Sequence, residues 1–146
     1  MTEGIPPSVE RVLNQFRSMG REEKMQALVS YSKKLEPLPD RLKEVDHSMF
    51  NIPECQTRVD IIPEIKDGLM HFYTDLNVRQ SPTFAAILAI VFKAVNDQPP
   101  STTLAIPPDF VRTLMESIGL GAREAGLNAM ITRLKRYATQ AQTSTT

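Results

Sequence analysis

Val59-Asp-Ile-Ile-Pro-Glu-Ile-Lys-Asp-Gly-Leu-Met-His-Phe-Tyr-Thr-Asp-Leu76 is the stretch on which the fold class turns. Val59, Ile61 and Ile65 alternate with polar positions, and Lys66-Asp67-Gly68 carries the residue types that tight hairpin turns require. Leu69 to Leu76 then reads as the returning strand. Pro63 has no N–H for a ladder, which assigns the first strand to an edge or a bulge. The expectation is one small antiparallel hairpin.

The flanks are helical. Upstream, Ser8 follows two prolines and precedes Val9, Val12, Leu13, Phe16 and Met19 at helical spacing, with Gly20 as the stop. A second helix follows from Arg21 and ends before Pro37 and Pro39. Charges dominate between Asp40 and Ser48, and Met49 to Pro53 reads as an edge strand or extended loop. Downstream, Ser81 and Pro82 form a cap and first turn for an apolar helix through Val95. That helix is apolar all round and therefore has to be covered on most sides. A short turn after Ser101 comes next, then a helix carrying Phe110, Val111, Leu114, Met115 and Ile118, with a break at Gly119-Leu120-Gly121. A last helix runs from near Ala122 to near Tyr137, with Leu127, Met130, Ile131 and Leu134 as its stripe. Residues 1–138 thus read as a single domain, and the Thr- and Gln-rich residues 139–146 as a disordered tail. Helices on both sides of one hairpin indicate an α+β fold, a small antiparallel sheet packed against several helices.

Composition narrows the function. In 146 residues, 17 basic and 17 acidic side chains cancel, which removes the positive field expected of a nucleic-acid binder. The longest unbroken apolar run, Phe84 to Phe92, is far short of the roughly 18 residues of a membrane span. The opening Met-Thr-Glu-Gly-Ile-Pro-Pro has neither the basic start nor the apolar stretch of an export signal, so the mature chain is expected to begin there. Two histidines and one cysteine cannot complete a structural zinc set or an internal disulfide. Seven methionines spread along separate helices suggest core filling. Arg133, Lys135 and Arg136 read as the positive end of the last helix.

The strongest candidate for chemistry is Cys55. Glu54, Gln56, Thr57 and Arg58 surround it, a polar setting that reads as a surface loop. Arg58 is a positive neighbour that would favour the thiolate, whereas Glu54 and Asp60 act against it. A cysteine hydrolase or transferase would need an imidazole base, for which only His47, in a charged loop, and His71, on the return strand, exist. Peroxidase or disulfide-exchange chemistry would need a resolving thiol, and the chain has none. Sulfur transfer needs only one thiol, because the partner supplies the second sulfur.

Asn51-Ile-Pro-Glu-Cys-Gln-Thr resembles the acceptor-cysteine loop of the SufE family, sulfur acceptors that work with cysteine desulfurases in iron–sulfur cluster assembly. Leu35-Glu-Pro-Leu-Pro is similar to the family's segment after its second helix, and Arg123-Glu-Ala-Gly-Leu-Asn-Ala-Met-Ile to its final-helix signature. The resemblance runs from about Val9 to Tyr137. It implies the SufE/NifU-like fold, Cys55 as the sulfur acceptor, and Arg123 and Gln56 as supports of the acceptor loop. It also implies a SufS-like cysteine desulfurase as partner, with the pyridoxal phosphate held by that partner and no cofactor here. The downstream acceptor would be an iron–sulfur scaffold or another sulfur acceptor. The protein would be a carrier and desulfurase activator, not itself an enzyme. It would be a monomer or weak homodimer in the cytoplasm, or in a plastid as a mature form. A retained interaction module without sulfur chemistry is the remaining alternative.

Overall fold

A computed structural model describes residues 5–36, 38–43, 60–76, 79, 82–115 and 123–144. Seven helices and a two-stranded antiparallel sheet make an α+β architecture among these residues. The order is α1 (Pro7–Arg17), α2 (Arg21–Ser32), α3 (Asp40–Lys43), β1 (Ile61–Lys66), β2 (Leu69–Thr74), α4 (Pro82–Val95), α5 (Pro100–Leu104), α6 (Phe110–Leu114) and α7 (Arg123–Ser144).

Helix α4 is the centre. Ten of its residues are buried, including Ile87, Leu88, Ile90 and Val91 at 0% exposure, as an all-round apolar helix requires. Helices α1 and α2 and strand β2 pack against it, while α5 and α6 bridge to α7. Helix α1 opens on Pro7, where a missing N–H costs nothing. The Ser8 hydroxyl meanwhile donates to the Ala94 carbonyl at 2.6 Å, tying the start of α1 to the end of α4.

The hairpin follows its sequence signals. Asp67 and Gly68 both take positive φ, 56° and 79°, the left-handed pair of a type I′ turn. The register pairs Ile61 with Thr74, Pro63 with Phe72 and Ile65 with Met70 on one face. Ile62 with Tyr73, Glu64 with His71 and Lys66 with Leu69 share the other. With this turn the closing pair Lys66–Leu69 exchanges its hydrogen bonds, so the alternate residues 61, 63 and 65 turn their main-chain groups outward. Pro63 therefore stands at an outward position of an edge strand and removes no ladder bond. The free side of β2 is closed by the residues after α4. Met70 N–H donates to Gln98 O at 2.9 Å, and Asp97 N–H to Met70 O at 2.7 Å. The Asn96 side chain accepts from Phe72 N–H at 2.8 Å and donates to its carbonyl at 3.4 Å.

Several expectations need correction. Ile65 keeps the phase of the strand but is 42% exposed, because it is the last inward position before the turn; the buried outward-face residue is Ile62. The charged residues after Pro39 include a helical turn, α3, that seats Leu42. Helix α7 does not end near Tyr137: it continues to Ser144 with Ala138 and Ala141 buried, so residues 139–144 are not a disordered tail. Positions 134, 137, 138 and 141 extend its stripe through the Thr- and Gln-rich sequence. Arg133, Lys135 and Arg136 consequently lie inside α7, not at its end. Lys135 instead donates to the Ile106 carbonyl at 2.6 Å, and burial pushes its pKa down. The methionines divide: Met130 is core, Met70 lies on β2 and not on a helix, and Met25 is 47% exposed. Ser81, Ile118 and the Gly119–Gly121 break lie outside the described residues.

Candidate functional site

The residues expected to carry chemistry are bounded by two anchored ends. Cys55, Gln56 and Arg58 lie outside the described residues, as does His47, between Lys43 at the end of α3 and Asp60 before β1. Asp60 is fully buried, and its carbonyl accepts the Thr74 hydroxyl at 2.9 Å, which fixes the entry to β1. On the other side, Leu38 and Leu42 form a small apolar cluster with Ile62 and pack on Tyr73. Arg41 grips the same face: it reaches Glu64 at 2.7 Å and the Tyr73 hydroxyl at 3.5 Å, with its guanidinium 5.7 Å from the Tyr73 ring. Arg123, the first residue of α7, begins the helix that the final-helix signature foretold.

Sequence reading reduces His71 to a half-exposed strand residue; the fold gives it a full set of partners. Its Nε2 lies 2.6 Å from Glu36 Oε1 and its Nδ1 3.0 Å from Asp97 Oδ1. Asn96 Nδ2 lies 3.3 Å from Nε2, and the Tyr73 ring centroid 4.6 Å from that of the imidazole. Burial opposes charging of the ring, but the hydrogen bonds to Glu36 and Asp97 outweigh it and raise the pKa above the usual 6.5. Nothing in the sequence could pair residues 35 and 26 positions apart from His71. Asp97 meets the ring from a left-handed backbone, φ +63°, just after α4.

Beside this cluster opens a cleft of about 280 Å³ between the C-terminal ends of α2 and α4. Tyr31, Phe92 and Ala89 form its apolar base, with Lys34 and Lys93 near the Tyr31 ring at 5.5 and 5.4 Å. Both cations sit where a helix ends and offset its negative pole. Among the described residues no cluster of His, Cys, Asp and Glu is arranged to hold a metal ion. No helix among them is long and apolar enough to cross a membrane.

Comparison with known proteins then decides the family. The SufE family model, described as an Fe-S metabolism associated domain, matches residues 10–138. The chain belongs to the SufE family. Two uncharacterized SufE-like proteins of Mycobacterium tuberculosis are each 29% identical to it over 140 residues, spanning 90% of this chain and 92% of their own. The solution structure of a hypothetical protein from Thermus thermophilus shares its fold with a TM-score of 0.81 at 26% identity, over 95% of this chain and 98% of that one. The SufE match takes in the Cys55 segment, the hairpin and most of α7, so all three stretches that resemble the family fall within it. Family membership associates the protein with iron–sulfur metabolism.

Proposed function

We propose that this SufE-family protein accepts sulfur from a cysteine desulfurase on Cys55, carries it as a persulfide, and passes it to an iron–sulfur scaffold or another sulfur acceptor. The observation that carries this reading is the family match across residues 10–138, with the sole thiol of the chain inside the segment that resembles the acceptor loop.

The chemistry requires little else. The Cys55 thiolate attacks the terminal sulfur of the donor persulfide; a new S–S bond forms, the donor's S–S bond breaks, and the donor cysteine leaves as thiolate. Sulfane sulfur moves between two thiols, with no external oxidant or reductant. Arg58 favours the attacking thiolate by its charge. Gln56 and Arg123 are assigned as supports of the acceptor segment, the role that the matching positions of the family imply. The pyridoxal phosphate that generates the persulfide belongs to the desulfurase, so this protein works as its activator by clearing its product. A reducing compartment such as the bacterial cytoplasm suits a carrier whose thiol must stay free.

Incubation with a purified SufS-like desulfurase and cysteine, followed by intact-mass measurement, tests the reading. A gain of one sulfur atom is expected on the wild type and not on Cys55→Ala, together with a several-fold rise in desulfurase turnover that the variant fails to produce. A wild-type protein that stays unmodified while the desulfurase itself carries persulfide would overturn it.

A further inference from the structure

The His71 contacts cannot all be made by a neutral ring. Each ring nitrogen faces a carboxylate, Glu36 at 2.6 Å and Asp97 at 3.0 Å, and an ionised carboxylate only accepts hydrogen bonds. Holding both therefore needs two N–H groups, which only the imidazolium has. The two carboxylates are differently placed. Asp97 is tied to the strand through its own N–H, which donates to Met70 O at 2.7 Å. Glu36 sits on the connector between α2 and α3, with its side chain 51% exposed.

Asn96 decides which contact survives loss of the proton. Its Oδ1 accepts from Phe72 N–H at 2.8 Å, which fixes the amide so that Nδ2, a donor, faces His71 Nε2 at 3.3 Å. A neutral ring protonated on Nδ1 keeps Asp97 and offers the Nε2 lone pair to that amide. The opposite tautomer would set a bare Nδ1 against the Asp97 carboxylate and leave Asn96 Nδ2 facing an N–H. We propose that the α2–α3 connector is latched to the sheet through a proton on His71 Nε2, and that losing this proton passes Nε2 to Asn96 and frees Glu36.

The surroundings suit such a device. Glu64, opposite His71 on β1, is neutralised by Arg41, which also lies over Tyr73, the ring stacked beside the imidazole. Lys34 and Lys93 share the cleft with Glu36 and Asp97 and stand ready for the released carboxylate. Latched, the connector is held at both ends, by Glu36 on His71 and by Leu38, Arg41 and Leu42 on the outer face of the hairpin. Unlatched, it keeps only the second attachment, and the four-residue α3, no longer held from the His71 side, loses part of what keeps its Leu42 N–H bonded to Pro39 O. The raised pKa of His71 moves the release above the usual 6.5.

Ring ¹⁵N spectra of the full chain, followed through the titration of His71, read the tautomer directly, and amide exchange at Leu42, whose N–H donates to Pro39 O, reads the connector. The expected result is the Nδ1–H tautomer in the neutral ring, with Leu42 exchanging several-fold faster once the proton is lost. Glu36→Gln, compared at the same pH, cancels the ordinary dependence of exchange on hydroxide. In this variant the His71 pKa should fall and the step in exchange should vanish, because one opposing charge is gone. A neutral Nε2–H tautomer, or Leu42 exchange that tracks the variant throughout the titration, would overturn the latch.

Discussion

The two faces of the hairpin are held by different forces. On the inner face Ile61, Met70 and Phe72 are at most 1% exposed and join the core around α4, with Phe72 stacked on Phe92 at 6.0 Å. On the outer face only Ile62 is buried, under Leu38 and Leu42 beside the partly buried Tyr73, and charged contacts predominate: Arg41 on Glu64 and His71 between Glu36 and Asp97. Burial scales with apolar area and does not depend on direction, whereas exposed ion pairs contribute little net energy but demand one geometry. The inner face therefore supplies stability, and the outer face sets where the connector lies.

Truncating the inner face should do most damage. Phe72→Ala is expected to lower the unfolding free energy by about 4 kcal/mol, measured by urea titration, because it empties a fully enclosed site. Leu42→Ala, on the outer face, should cost about 2 kcal/mol, since its cluster is small and borders solvent. Equal losses at the two positions would erase the distinction between the faces. The smallest effect should come from His71→Gln and should depend on pH. A native pKa raised above 6.5 means that the charged ring is favoured in the folded state. The stability it contributes is present in full below the unfolded value near 6.5 and is lost as pH rises through the raised native value. The wild type's advantage over His71→Gln in urea should shrink in that direction; an advantage that grows with pH would reverse the sign.

How far the sequence reveals this architecture depends on the range of the signal. The turn at Asp67-Gly68, the edge position of Pro63 and the enclosed helix α4 are all local statements, of backbone freedom, a missing donor and unbroken apolarity, and the structure matches each. The end of α7 was legible in principle through Leu134, Tyr137, Ala138 and Ala141, but small alanines amid Thr and Gln carry a weak hydrophobic signal. The burial of Ile62 was hidden because it depends on Leu38 and Leu42, far upstream in the chain, folding over the outer face. His71 shows the limit most plainly: its carboxylates come from the end of α4 and from the connector after α2. The proposed acceptor thiol was legible only as a residue in a family-like segment, and Cys55, Gln56 and Arg58 lie outside the described residues.

Pro63 has a bearing on how another protein could meet this one. Along the flank of β1 turned away from β2 the main chain has a gap in its row of amide donors, halfway along six residues. An incoming extended segment could not build an unbroken ribbon there, since its matching carbonyl would find a ring carbon instead of a hydrogen. On that side main-chain pairing is interrupted, and recognition falls to the shape and charge of what projects from it.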